Sequence, residues 1–158
     1  MRNFIAICII TFACLVGSFL GITVYELVNH LLISGKWSFQ VLSTDLYLTK
    51  VVAILSATLI GAIGQELIIP IQHKFTFWRY IRQKGMVGFT ILAGSSLAIG
   101  GSLAIAISVF MTQKISLAEF FVNDYASRCL SILPAAFIFG ACYGLGRFKS
   151  YEQKFGNA

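Results

Sequence analysis

Residues 4–25 read FIAICIITFACLVGSFLGITVY, an unbroken apolar stretch that carries small residues at Ala13, Gly17 and Gly21. A helix needs about 20 consecutive apolar residues to cross the hydrocarbon core of a bilayer. Small residues at every fourth position lie on one face of a helix, where a second backbone can approach closely. The stretch therefore predicts a membrane-spanning helix that packs through a stripe of small residues.

Three further stretches repeat this pattern, at about residues 47–71, 89–111 and 129–145. Hydrophobic residues make up 58% of the 158-residue chain and charged residues 11%, whereas soluble domains carry about 25% charged residues. The mean hydropathy is +0.83. We therefore expect a single integral membrane domain over residues 1–158, an all-α fold with four transmembrane helices in a compact bundle.

Glycines within the four stretches are the predicted contact points between helices. Burial of apolar surface cannot drive helices together in lipid, so close backbone contact has to do so. The same stripes would also serve a homo-oligomer. The glycines predicted to pack are Gly17, Gly21, Gly61, Gly101, Gly140 and Gly144.

The distribution of basic residues predicts the orientation of the chain. With four spans, the amino end, residues 72–84 and the carboxyl tail share one side, and Lys and Arg collect on the cytoplasmic side of spanning helices. We therefore expect both termini in the cytoplasm, for a multi-pass protein of the bacterial inner membrane. The net charge of +6 then requires no nucleic-acid partner. Eight of the twelve basic residues lie on that side: Arg2, Lys74, Arg79, Arg82, Lys84, Arg147, Lys149 and Lys154.

Residues 72–84, QHKFTFWRYIRQK, interleave aromatic and basic side chains in a predicted cytoplasmic loop. Such a pattern can bind single-stranded nucleic acid, but flanking spans favour contact with lipid headgroups. Recognition of a phosphate-bearing ligand is the alternative interpretation. On the other side, residues 27–45 include Trp37 and Phe39 and suit an interfacial helix or hairpin.

Glu66 is the only acid within a predicted span. A carboxylate in hydrocarbon is expensive and usually faces a partner or a water-filled cavity. Either it pairs with Arg79, Arg82 or Arg147, or it is a proton- or substrate-linked group. The candidate ligand-binding residues are Glu66, Lys74, Arg79, Arg82 and Arg147.

The sequence contains no credible catalytic or metal-binding constellation. His30 and His73 fall on opposite predicted sides, and the four cysteines lack the spacing of a metal site or a disulfide framework. No glycine-rich phosphate loop is present. We therefore predict a non-enzymatic protein without a metal or cofactor.

The two halves of the chain, residues 2–80 and 83–153, resemble each other. Each has two predicted spans and closes with a basic residue followed by aromatics, in HKFTFWRY at 73–80 and GRFKSYEQ at 146–153. Two halves of two spans each would share their orientation. Parallel repeats of this kind occur in transporters.

The two endings also carry a resemblance to the GtrA-like family of small four-span membrane proteins. Its second and fourth helices end in a basic–aromatic–x–aromatic signature. The resemblance implies that the protein moves or handles polyprenyl-phosphate-linked sugars at the inner membrane, beside a glycosyltransferase. The residues that carry it are Lys74, Phe75 and Phe77 in the first half, and Arg147, Phe148 and Tyr151 in the second.

A second class of function fits the same composition. Small basic four-span proteins also serve in phage superinfection exclusion and in immunity to bacteriocins, where they bind an incoming protein within the membrane. Small-residue stripes and apolar outer segments would serve that binding equally well.

Overall fold

The structure is a computed structural model that describes residues 2–68, 71–113, 116–123 and 125–156. All regular structure in this part of the chain is helical, which confirms the all-α prediction. The elements in chain order are α1 (Arg2–Ser34), a 3₁₀ helix (Phe39–Ser43), α2 (Asp45–Ile68), α3 (Ile71–Gln113), α4 (Leu117–Val122) and α5 (Tyr125–Phe155).

Three helical stretches in the described residues are long and apolar enough to cross a membrane. They are Phe4–Ser34, Gln72–Met111 and Tyr125–Phe155, whereas the apolar stretch of α2, Tyr47–Ile60, is shorter. The fold is therefore that of a helical membrane protein with at least three candidate spans.

Helix α1 is longer than the apolar stretch that predicted it. It continues through Glu26 to Ser34, and Gly35 then adopts a φ of 70° while donating its N–H to the carbonyl of Leu31 at 2.8 Å. Glycine reaches this left-handed conformation without steric cost and so closes the last turn. Residues 27–34 thus extend α1, and a shorter segment with the 3₁₀ helix leads to α2.

Helix α3 includes residues 72–84, which the sequence had placed in a loop. A kink at Gly85, with φ 70° and ψ 167°, separates this basic segment from the apolar part that follows. Only glycine adopts that backbone conformation readily. Gly85 therefore joins two helical segments with separate roles.

Helix α5 lies at the centre of the bundle. It continues through Pro134 and packs along both α1 and α3, whereas α2 packs mainly on α1. The order across the bundle is therefore α2, α1, α5, α3. If the two halves of the chain were a repeat, α2 would correspond to α5. These two helices differ in their neighbours, and the repeat stays a prediction.

Neighbouring helices run antiparallel. Gly17 and Gly21 of α1 face Cys142 and Ala135 of α5, so rising numbers on one helix meet falling numbers on the other. Hydrogen bonds between α1 and α2, and the glycine contacts between α3 and α5, follow the same rule. The start of α1, residues 71–84 and the last turns of α5 therefore lie together, at what we name the basic end.

Glycines make the closest approaches between these helices. A Cβ on Gly140 would lie 2.7 Å from the carbonyl oxygen of Ala93, and one on Gly144 would lie 2.8 Å from the Cβ of the same residue. Real Cβ atoms do not come so close, so only glycine permits this spacing of α3 and α5.

The remaining predicted glycines differ in their surroundings. A Cβ on Gly17 would lie 2.7 Å from the Cβ of Cys142, and one on Gly101 would make an ordinary contact with Ala136 at 4.0 Å. Gly146, which the prediction omitted, faces Ala13 so closely that a Cβ would overlap it. Gly61 belongs to α2, but its surroundings lie outside the described part of the structure.

Candidate functional site at the basic end

The first segment of α3 is amphipathic and buries one face against α5. Lys74, Trp78 and Ile81 recur at helical spacing and are 5%, 3% and 0% exposed. Arg79 and Arg82, on the other side of the same segment, are exposed. The four predicted basic ligands thus divide into two buried cations, Lys74 and Arg147, and two exposed ones.

Aromatic packing holds the buried face in place. The ring of Trp78 meets that of Phe148 edge to face at 5.2 Å, and Phe77 meets Tyr151 at 6.1 Å. Such pairs add roughly 0.5–1.5 kcal/mol each beyond the area they bury. We name the buried set the aromatic cluster, and it consists of Trp78, Ile81, Phe89, Phe148 and Tyr151.

Arg147 lies beside this cluster between two tyrosines of its own helix. Its Cζ is 5.5 Å from the ring centre of Tyr143 and 5.2 Å from that of Tyr151, and its Nε donates to the hydroxyl of Tyr143 at 3.1 Å. Residues four apart share a helix face, which explains the stack. Arg147 is only 3% exposed, so its charge is held within the protein at a fixed position.

The two basic–aromatic endings, at residues 73–80 and 146–153, therefore converge in space. Lys74 lies one turn before Trp78, and Arg147 precedes Phe148, the ring that Trp78 contacts. Sequence reasoning missed Tyr143, whose position one turn before Arg147 was the available signal.

The exposed face of residues 72–84 has the composition expected of a membrane anchor. The guanidinium of Arg79 lies 4.9 Å from the ring centre of Phe75, and the ammonium of Lys84 lies 5.8 Å from that of Tyr80. Cations and half-exposed rings suit the headgroup layer. The predicted anchor is thus compatible with Arg79 and Arg82, but not with Trp78, which is buried in the protein.

Glu66 lies in α2, where the structure describes its backbone but not its side chain. Ser18 of α1 bonds Thr58 of α2 at 2.8 Å, and the two helices are antiparallel. Eight residues further, Glu66 is level with Ile10, whose Cα lies beside Gly146. The register thus brings the backbone of Glu66 to the depth of Arg147.

At the opposite end, an ion pair that the sequence analysis missed joins α1 and α2. Lys50 Nζ lies 2.6 Å from Glu26 Oε1, and the Thr23 and Tyr47 hydroxyls bond nearby at 2.8 Å. By the orientation predicted from the sequence, four of the twelve basic residues and four of the six acids belong to this side. The excess of positive charge is therefore predicted at the basic end.

A groove of about 270 Å³ opens between α1, α2 and α5. Apolar side chains dominate its walls, and Phe139 in its lining lies two turns before Arg147 on α5. Among the residues described, no three His, Cys, Asp or Glu side chains lie close enough together to hold a metal ion.

No family model, no curated protein and no solved structure matches this chain significantly. The fold and the site define a small helical membrane protein with two buried cations at its basic end.

Proposed function

We propose that this chain is a four-span protein of the bacterial inner membrane that handles or translocates a polyprenyl-phosphate-linked sugar. The observation that carries the proposal is the burial of Lys74 and Arg147 beside one aromatic cluster, at the end of the bundle with excess positive charge. Buried cations are rare unless they serve a partner or a ligand. A phosphate is an anion that such cations recognise well.

The groove between α1, α2 and α5 supports a lipid substrate. It begins about two turns of α5, or roughly 12 Å, from the level of Arg147. A prenyl chain attached to a phosphate at Arg147 would run past this depth in the cytoplasmic leaflet. The resemblance of the two endings to the GtrA-like signature favours the same substrate class.

The topology proposed for this role has α2 as a fourth span. Its 24 residues reach about 36 Å, enough for a hydrocarbon core of about 30 Å. Reporter fusions after residues 83 and 156 should report the same, cytoplasmic side. Fusions that place these two positions on opposite sides would overturn the topology.

Translocation in proteoliposomes tests the function. The probe is a fluorescent polyprenyl-phosphate sugar whose outer-leaflet pool is quenched by an impermeant reductant. Lys74→Gln and Arg147→Gln should each slow translocation by at least about tenfold, since removing one partner of a buried charged contact costs roughly 2 kcal/mol or more. The matched control is Arg128→Gln, an exposed cation near the start of α5, which should leave the rate within about twofold.

The outcome that rejects the proposal is equally definite. Wild-type protein that moves the probe no faster than empty liposomes, and whose loss in cells leaves surface glycans unchanged, does not handle such a lipid. Resistance to phage or bacteriocin in cells that express the protein, without a glycan change, would instead establish the exclusion or immunity role.

A further inference from the structure

A second groove, which we name the α1–α5 groove, runs along the contact between these two helices toward the basic end. Its volume is about 290 Å³. Its floor is the contact of Gly146 with Ala13, where a Cβ on the glycine would overlap the alanine side chain. The groove therefore exists because the two backbones touch where neither helix has a large side chain. Larger apolar side chains form its walls: Ile9, Phe12, Val16 and Leu145.

The α1–α5 groove opens to the outside of the molecule. Phe12, Leu145 and Val16 are 70%, 42% and 36% exposed. Both helices are long and apolar enough to cross a membrane, so the medium that meets this surface is lipid rather than water. Acyl chains therefore contact the walls of the groove, and a water-soluble ligand does not.

The dimensions of the groove suit one hydrocarbon chain. Its lining extends from Ile9 to Val16 on α1 and from Cys142 to Lys149 on α5, which is about 10 Å along the helix axes. A groove of 290 Å³ and this length is about 6 Å wide, whereas a helix with its side chains is about 10 Å across. It is therefore too narrow to admit a helix of a second copy.

The end of the groove nearest the basic end carries a cation. Lys149 completes the lining there. Its ammonium is 2.9 Å from the Glu152 carboxylate, and both side chains are 49% exposed. An exposed pair of this kind contributes little, so it does not prevent the ammonium from binding an anionic headgroup. A lysine stem can also lie along apolar surface while its charge reaches the headgroup layer. An apolar groove that ends in a cation thus matches the polarity of an anionic lipid.

We infer that the α1–α5 groove binds one acyl chain of an anionic phospholipid, whose headgroup lies against Lys149. The bound chain contacts both helices and so supports their packing. The site is separate from that of the proposed substrate, because Lys149 follows Arg147 by two residues and projects from nearly the opposite side of α5. The residues that α1 contributes to the two grooves also lie on opposite sides of that helix. The lipid bound here is therefore a partner of the protein, and its binding does not depend on translocation.

A fluorescent reporter on the rim of the groove tests the inference. Trp37→Phe removes the exposed tryptophan at the opposite end, and Phe12→Trp adds one at an exposed position of the rim. The emission of the introduced indole is the difference between the double variant and Trp37→Phe alone, because the buried Trp78 is common to both. The protein is placed in nanodiscs of phosphatidylcholine with a minor fraction of phosphatidylglycerol. Bromine atoms on the chains of one lipid or the other quench the indole on contact.

The expected result is a local preference for the anionic lipid. At equal mole fraction, brominated phosphatidylglycerol should be enriched at the groove about fivefold over brominated phosphatidylcholine, as one lysine near the membrane surface provides. Lys149→Gln should abolish this preference, and Lys149→Arg should retain it. Lys84→Gln is the matched control, because Lys84 is an exposed lysine at the same end on α3, whereas the groove is lined by α1 and α5. It should leave the preference unchanged.

Three results would overturn the inference. Equal quenching by the two lipids assigns the groove to unselective surrounding lipid. A preference that Lys149→Gln lowers no more than Lys84→Gln does belongs to the positive surface as a whole. An introduced indole that neither lipid quenches is covered by protein, as in a contact with a second copy. Translocation measured on the same preparations keeps the two proposals apart, since a lipid preference without translocation, or translocation without the preference, contradicts only one of them.

Discussion

Glu26 and Lys50 form an ion pair that ties α2 to α1, with 2.6 Å between the Lys50 Nζ and the Glu26 Oε1. The two side chains differ in exposure, at 9% for Glu26 and 39% for Lys50. The ammonium can turn toward the interface on its flexible stem, whereas the carboxylate is enclosed. The pair is therefore asymmetric, since the acid depends on the base more than the base depends on the acid.

This asymmetry predicts unequal effects of the two neutral substitutions. Lys50→Met strands a buried carboxylate and should lower the free energy of unfolding by about 2–3 kcal/mol. Glu26→Gln leaves a half-exposed ammonium and should lower it by only about 1 kcal/mol. Titration with a denaturing detergent, followed by circular dichroism, measures both. Lys36→Met, at an exposed site, is the control, and equal losses in the two variants would contradict the asymmetry.

The contact between α3 and α5 predicts a strong effect at Gly140. In Gly140→Ala the new methyl group would lie 2.7 Å from the Ala93 carbonyl oxygen and 2.9 Å from the Gly94 Cα. The helices would have to separate, at a cost of about 2 kcal/mol. Gly100→Ala is the matched control, because nothing lies within 4 Å of that position. It should be neutral or stabilise α3 by up to about 1 kcal/mol, and destabilisation comparable to Gly140→Ala would contradict this packing.

The kink at Gly85 predicts a change in how the basic segment docks. Open space surrounds this residue, so a methyl group meets no neighbour, but its φ of 70° is strained for any other residue. Gly85→Ala should cost about 1–3 kcal/mol or straighten the helix and pull Trp78 from Phe148. The emission of Trp78 in the Trp37→Phe background reports that movement. Gly88→Ala, at a helical position with room for a methyl group, should not change it.

Arg147 is predicted to need its guanidinium as well as its charge. Arg147→Lys keeps the charge but loses the planar stack between Tyr143 and Tyr151 and the hydrogen bond to the Tyr143 hydroxyl. We expect a loss of about 1–2 kcal/mol in the free energy of unfolding, measured without added lipid phosphate. Arg82→Lys, at an exposed position, should cost less than about 0.5 kcal/mol. A harmless Arg147→Lys would show that charge alone matters there.

The short helix α4 is predicted to depend on pH. The backbone N–H of Ser116, and then its hydroxyl, bond the Glu119 carboxylate and lower the pKa of that group from its ordinary 4.5. Because this pKa is lower in the folded state, the ionised Glu119 carboxylate stabilises α4. The stabilisation is fully present above pH 4.5 and is lost as the pH falls through the pKa of the folded state. Amide protection factors over residues 116–122, which correct for the intrinsic pH dependence of exchange, should therefore fall in acid.

Ser116→Ala removes the second of these bonds and should shift that acid transition partway toward pH 4.5. Ser38→Ala is the control, because Ser38 caps the 3₁₀ helix without a carboxylate. Its effect should not change with pH. An acid transition of α4 that stays in place in Ser116→Ala would contradict the role of the serine hydroxyl.

The existence of the main helices could be predicted because apolar length alone decides which segments suit a bilayer. Their ends could not, since residues 27–34 and 72–84 mix polar and apolar side chains that are compatible with a helix or with a surface loop. The ends of these helical segments are set at two single positions, Gly35 and Gly85, where the backbone adopts a positive φ. A glycine in the sequence does not say which conformation it takes.

The candidate site shows the same division. Its positive charge could be read from the sequence, and so could Lys74 and Arg147 as basic residues followed by aromatics. Their burial could not, because it depends on α3 folding back onto α5 across roughly 70 residues of chain. The pairing of Glu26 with Lys50 was hidden for a related reason, since it follows from the register of two antiparallel helices.

By itself, the sequence determined the medium, the helical class and the end at which positive charge collects, because these depend on sums over many residues. Tertiary structure alone decided which helix is central and which cations are enclosed. Those properties depend on the register and rotation of each helix, and these are set by close contacts between residues far apart in the chain.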